Sequence, residues 1–290
     1  MFCHVALFSY ICREKTMMIM KIVNRILLYI NVVCLLTVMA VSCRTADKTT
    51  AMSKVDEIQQ RGTILVGTTG DYRPLSYLDP QTNTYWGFDT DLTEIIAKDL
   101  GVEVCYVPTS WPTLTEDMLN DTLFDMAVCG ITVTDARKEI MLMSEGYLSN
   151  GKTILCRKDE ADRFTCLADL DQPDVVVMVN PGGMNEKFAH ENLSKAKIVV
   201  HQRNEEIPQL VAEGQANIMI TEIVEAPYYV QEDERLAAPL LGKPFTNSQI
   251  GVLMRKGDED LLKRVNCIID SCKADGTLKR LYEKYGFSYE

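Results

Sequence analysis

Val175-Val176-Val177-Met178-Val179-Asn180-Pro181-Gly182-Gly183-Met184-Asn185-Glu186-Lys187-Phe188 is the stretch on which the reading of this chain turns. The apolar run at 175–179 is short, β-branched and unbroken, which predicts a buried strand. Pro181-Gly182-Gly183 forces a sharp turn, and a helix is expected from Met184. A strand, a glycine turn and a helix in that order aim backbone N–H groups and the positive end of a helix at one point. Such a point suits a carboxylate as readily as a phosphate. The same residues also fit a plain β–α turn with Gly in the left-handed conformation.

Outward from this unit the alternation repeats. Residues 55–60 read as a short helix, Thr63–Thr68 as a strand, and Gly70-Asp71-Tyr72-Arg73-Pro74 as a loop. Asp89 is expected to cap a helix from Asp91 that carries Leu92, Ile95, Ile96 and Leu100 on one face and stops at Gly101. Strands are expected at 102–107 and 124–129. Trp111-Pro112 opens a short helix between them, and Thr134 caps another after them. Beyond the quoted stretch, strands at 198–200 and 218–220 alternate with helices at 207–213 and from Glu222. Residues 147–157 and 244–254 read as extended. A long amphipathic helix, with Leu261, Leu262, Val265, Ile268 and Ile269 on one side, closes the chain.

Strand–helix alternation predicts an α/β protein whose mainly parallel sheets are flanked by helices. Two such runs joined by two extended crossings predict two lobes with a ligand cleft between them. The first lobe is discontinuous, at 55–150 plus 248–290, and the second spans 152–244. Ligands of open α/β sheets sit at the carboxyl ends of strands. Five loops fall there: 68–74, 109–112, 130–137, 180–185 and 221–225.

With 290 residues, 47% hydrophobic and 24% charged, the chain has the composition of a globular protein of about two domains. Its net charge of −11 argues against nucleic acid as a partner. The first 43 residues differ from the rest. Arg13, Lys15, Lys21 and Arg25 precede an apolar run at 26–41 that is too short and interrupted for a membrane span. Residues 1–43 therefore read as an export segment, with Met17, Met18 or Met20 as alternative starts. Ala40-Val41-Ser42-Cys43 resembles a bacterial lipoprotein processing site. It makes Cys43 the expected lipid anchor and the only expected link to a membrane; an ordinary cleaved signal also fits. Residues 44–54 read as a tether. Six of the ten cysteines lie beyond Cys43, without metal-ligand spacing, and only His190 and His201 remain there. No metal and no cofactor are expected. Cys156 and Cys166 are the one pair worth testing for a bridge. The oligomeric state, a homo-oligomer included, stays open.

Several residues at these loops carry chemistry. Arg137 with Thr132 can hold a carboxylate in two-toothed fashion, although a solvated helix residue fits Arg137 equally. Trp111 can wall a pocket against a ring, or serve as core. Asp71 sits in a glycine loop. Glu222 and Glu225, three apart, read either as first-turn complements to a helix dipole or as a functional pair.

From about residue 55 to residue 287 the chain resembles periplasmic solute-binding proteins of the polar amino-acid type (family 3). Within that family it is most similar to the cyclohexadienyl dehydratase branch, exported enzymes acting on prephenate and arogenate. The strings that carry the likeness include Thr68-Thr69-Gly70-Asp71-Tyr72, Gly87-Phe88-Asp89, Pro108-Thr109-Ser110-Trp111-Pro112 and Gly151-Lys152-Thr153. The stretch quoted at the outset and Glu225-Ala226 add to them.

The resemblance implies a type II periplasmic-binding-protein fold and a decarboxylating dehydration in phenylalanine biosynthesis. It implies Glu225 as general acid and Arg137 with Thr132 as carboxylate holders. Asn180, Gly183, Asn185 and Lys187 would form the second-lobe wall, and Asp71 with Trp111 the first-lobe wall. Met184 stands where the family usually has Thr. Glu222 stands where Asp is usual, the residue that meets an α-amine in amino-acid binders. The alternative from the same likeness is an amino-acid-binding lipoprotein of an ABC transporter.

Overall fold

The computed structural model describes residues 52–120 and 123–289, together with residues 17, 18, 20, 21 and 25–27. Cys43, most of the export segment and most of the tether lie outside the described residues. Helix α1 (Lys54–Arg61) leads into β1 (Thr63–Thr68) and a ribbon of β2 (Asp71–Tyr72), β3 (Ser76–Asp79) and β4 (Thr84–Trp86). Next come α2 (Phe88–Leu100), β5 (Glu103–Pro108), α3 (Leu114–Leu119), β6 (Met126–Ala127), α4 (Asp135–Ile140) and β7 (Leu142–Met143). Strands β8 (Leu148–Asn150) and β9 (Lys152–Arg157) carry the chain onward. Helix α5 (Leu167–Leu170), β10 (Val176–Val179), α6 (Met184–Asn192), β11 (Lys197–Val200) and α7 (Ile207–Ala212) follow. Strand β12 (Ile218–Glu222), α8 (Ala226–Glu232) and β13 (Leu236–Ala237) complete that run. The chain returns through β14 (Ser248–Ile250) and β15 (Leu253–Met254), and ends in α9 (Glu259–Ala274) and α10 (Thr277–Lys284).

Two five-stranded sheets result, ordered β5-β1-β6-β15-β7 and β11-β10-β12-β9-β13. They share one pattern. In each, a parallel trio is followed by one reversed strand, β15 or β9, and then by a strand running with the trio. The reversed strand is the one that arrives directly from the crossing. The crossing is itself an antiparallel ribbon, with Ser248 opposite Asn150 and Ile250 opposite Leu148. Periodicity could not reveal the reversal, because an apolar run reads the same in either direction.

Both faces of the second sheet are covered, as continuous apolar strands require. Val177, Val179, Ile218 and Ile220 pack on one side with Phe188 and Phe164. Met178 and Met219 pack on the other with Ile207, Val211 and Tyr229. The first sheet packs against α2 and α9 through Phe88, Leu92, Ile96, Leu261, Val265 and Ile269.

Three expectations need correction. Asp89 is not a helix cap. Gly87 holds that position at φ 141°, where a Cβ would fall 2.1 Å from the Leu75 carbonyl oxygen. The helix therefore starts at Phe88, and Asp89 turns inward to accept from the Gly130 N–H (2.6 Å) and the Tyr147 hydroxyl (2.8 Å). Burial pushes its carboxyl up to about 7. Glu222 is not in a first helical turn either. It ends β12, and the helix waits for Ala226, with Pro227 in its first turn. Cys156 and Cys166 form no bridge: Cys156 is buried in β9, whereas Cys166 is exposed. Among the described residues no helix is long and apolar enough to cross a membrane.

Candidate functional site

The carboxyl-end loops of the two sheets meet in one pocket. The first sheet's side contributes Tyr72, Trp111, Gly130, Thr132 and Arg137. The second contributes Lys152, Asn180, Gly183, Met184, Asn185, Asn204 and Glu222. The loop after β12 reaches across, with Val224 buried in the first lobe's core. The enclosed space is narrow, with room for little more than ordered water, so a ring-sized ligand must enter while the lobes are apart.

Backbone geometry decides how close the lobes come. Gly182 has φ 73°, and a Cβ there would lie 2.6 Å from the N and Cα atoms of Pro112 across the cleft. Gly182→Ala should therefore hold the lobes open and cost more than about tenfold in ligand affinity, equivalent to about 1.4 kcal/mol. Titration calorimetry against the wild type measures the loss, and unchanged affinity would show that the contact at Pro112 is dispensable.

Arg137 stands on a helix whose cap is Thr134, as the sequence predicted: the Arg137 N–H donates to the Thr134 hydroxyl at 3.2 Å. Its guanidinium donates to the Thr132 carbonyl at 2.6 Å and faces the pocket. Burial lowers its pKa, and among the described residues no carboxylate pairs with it. Such a group favours an incoming anion. Thr132 is buried where it bridges to Ile250 of the crossing ribbon.

A second polar cluster spans the pocket floor. The Lys152 ammonium donates to Glu222 at 2.5 Å and to the Asn185 side-chain oxygen at 2.6 Å. The register of β9 and β12 places Lys152 directly opposite Glu222. The Tyr72 hydroxyl donates to the other Glu222 oxygen, linking the lobes. Burial works against both charges. It lowers Lys152 to about 7 and raises Glu222 well above the usual carboxylate range, with Glu225 adding to the rise.

Glu225 is wholly buried and occupies the cap position of α8. The Thr221 hydroxyl donates to one of its oxygens, and the Asn204 side-chain N–H approaches the other at 3.5 Å. Burial pushes its carboxyl up to about 8, against the Thr221 hydrogen bond and with help from the nearby Asp71 charge. Asp71 lies behind the wall and accepts from the Trp111 indole N–H at 3.1 Å. Burial raises it as well.

The pocket thus brings together Trp111, Thr132, Arg137, Asn180, Gly183, Asn185 and Glu222, with Asp71 and Glu225 immediately behind it. Lys187 does not join them. Its side chain is 55% exposed and its ammonium lies 3.8 Å from Glu191. Asn185, Phe188 and Ala189 form the buried face of α6, and a residue two positions from Asn185 points to the opposite side. Tyr72, Gly130, Lys152 and Asn204 were not singled out from the sequence. Tyr72 and Lys152 stood inside strings that carry the family likeness. Asn204 sits in the polar run Arg203-Asn204-Glu205-Glu206, which bears no periodic signal.

Two helix-flanked sheets, a crossing ribbon and a polar cleft at the strand ends define a type II periplasmic binding fold. The chain belongs to the bacterial extracellular solute-binding proteins, family 3, which it matches over residues 64–288. It is 37% identical to the cyclohexadienyl dehydratase of Pseudomonas aeruginosa, over 80% of this chain and 86% of that protein. Among solved structures it resembles the ancestral amino acid-binding protein AncCDT-1, described as a precursor of cyclohexadienyl dehydratase. That likeness has a TM-score of 0.75 and 40% identity, covering 80% of this chain and 99% of the other. An ancestral cyclohexadienyl dehydratase, AncCDT-3, shares 52% identity at a TM-score of 0.51, covering 81% and 97% respectively.

Proposed function

We propose that this chain is an exported cyclohexadienyl dehydratase that converts prephenate to phenylpyruvate, arogenate to phenylalanine, or both. The observation that carries the reading is Glu225, a wholly buried carboxyl raised to about 8 beside a cleft that contains an unpaired arginine. A carrier needs the arginine; it has no use for a carboxyl that keeps its proton at neutral pH. In the proposed reaction Arg137 and the N–H groups around Gly183 hold the substrate's carboxylates. The ring C–O bond breaks as the departing oxygen takes the Glu225 proton and leaves as water. The bond to the ring carboxylate breaks in the same sense. Its electron pair enters the ring, CO₂ departs, and the ring becomes aromatic. Glu225 is left ionised and regains a proton when the cleft opens. General-acid help of this kind is worth about 10²–10⁴-fold.

Glu222 and Lys152 join the substrate-binding wall in this reading, and so do Asn180, Asn185, Trp111, Thr132 and Asp71. The division into lobes at 55–150 plus 248–290 and at 152–244, hinged at the β8–β14 ribbon, belongs to the same proposal. So does lipid attachment at Cys43, which metabolic labelling with palmitate tests directly.

Incubating the purified protein with prephenate and following phenylpyruvate tests the enzyme reading. Steady product formation is expected; no turnover, with tight binding of an amino acid, would leave a carrier. The pH dependence has a defined sign. The acid must be protonated before the step, so kcat should be high below pH 7 and fall as pH rises through about 8. A rate that keeps climbing above pH 9 would remove Glu225 from the role.

A further inference from the structure

Asn204 is the one residue of the pocket wall that approaches the Glu225 carboxyl among the described hydrogen bonds. It is 2% exposed. Its side-chain nitrogen donates to the Asp71 carbonyl of the opposite lobe at 3.1 Å and faces a Glu225 oxygen at 3.5 Å. Its side-chain oxygen is buried and accepts from nothing. An amide oxygen left dry in this way costs free energy unless a donor completes it. Because the residue lines the pocket, a ligand can supply that donor.

Resting on the dehydratase reading, we propose that Asn204 receives the hydrogen of the substrate's ring hydroxyl and so presents the oxygen lone pair to Glu225. The chemistry requires such a partner. A cyclohexadienol oxygen carries one hydrogen of its own and must accept a second from the acid. An acceptor that holds the first hydrogen fixes rotation about the C–O bond and leaves a lone pair facing the proton donor. Asn204 has its two ends arranged for this task, one toward the acid and one open to the pocket. Its bond to the Asp71 carbonyl forms only across the closed cleft, so the oxygen is aimed only when the lobes have met. Asn180, whose side-chain oxygen is also buried and open, lines the same pocket without touching Glu225 and does not meet both conditions.

The test uses Asn204→Ala in the full chain, with prephenate as substrate and phenylpyruvate, which has no ring hydroxyl, as competing ligand. The expected result is a fall of about 10- to 100-fold in kcat, while KM for prephenate changes less and the inhibition constant of phenylpyruvate stays within about threefold. Retained phenylpyruvate affinity also shows that the variant folds and closes. A kcat within threefold of wild type would overturn the assignment. A parallel loss of phenylpyruvate affinity would overturn it too, since Asn204 would then be holding the lobes rather than the hydroxyl. A wild type that leaves prephenate untouched would instead sink the dehydratase reading, and this assignment with it.

Discussion

Glu225→Gln is expected to abolish turnover of prephenate, by about 10²–10⁴-fold or more, while leaving ligand affinity within a few-fold. Gln has the same shape and can still meet the Thr221 hydroxyl, but it has no proton to give. The same variant should gain stability, and the sign follows from linkage. Glu225 is raised from an ordinary carboxylate value to about 8 in the folded state. Between those two values the native protein binds more protons than the unfolded chain, so wild-type stability falls as pH rises through the window. Gln removes that dependence. At pH 4 the two proteins should melt alike, and at pH 8 the variant should be more stable by about 1–3 kcal/mol. Thermal melts at several pH values measure the divergence. Parallel curves would mean that the buried carboxyl costs the fold nothing. Loss of activity with gain of stability is the signature of a group kept for chemistry at the expense of the fold.

The second large effect is at Arg137. Arg137→Leu should weaken binding of phenylpyruvate and raise KM for prephenate by about two orders of magnitude, because hydrogen bonds to charged groups contribute about 1.5–3 kcal/mol each. The guanidinium is held from behind by the Thr132 carbonyl and has no carboxylate of its own among the described residues. Its charge is therefore available, and burial sharpens the attraction by removing water. Arg137→Lys should restore little, since an ammonium cannot offer the planar fork. Calorimetric titration checks both variants. A Lys variant that binds like the wild type would mean that charge alone is recognised.

Sequence and structure divide the site between them in a regular way. Each lobe's elements were legible because they are local. The helix cap at Thr134, the glycine turn at Pro181-Gly182-Gly183 and the helix from Met184 follow from neighbouring residues, and all appear where expected. The loops at the strand ends were legible for the same reason, and they brought Arg137, Asn180 and Glu222 to one pocket. Lys187 failed because placing it on the wall ignored which face of its helix is buried.

The residues missed are those whose partners lie far along the chain. Tyr72 meets Glu222 across 150 positions, and Asn204 meets the Asp71 carbonyl across 133. Lys152 meets Glu222 across 70, through a strand pairing whose reversed direction no apolar pattern encodes.

By itself the sequence determined that the chain folds as two α/β lobes and which loops face the gap between them. Strand period, glycine turns and helix caps are written into adjacent residues. Only the tertiary structure decided which carboxyl keeps its proton and which amide stands beside it. Burial depends on what the opposite lobe brings against a side chain, and desolvation, rather than any local spacing, moves Glu225 to where it can act as an acid.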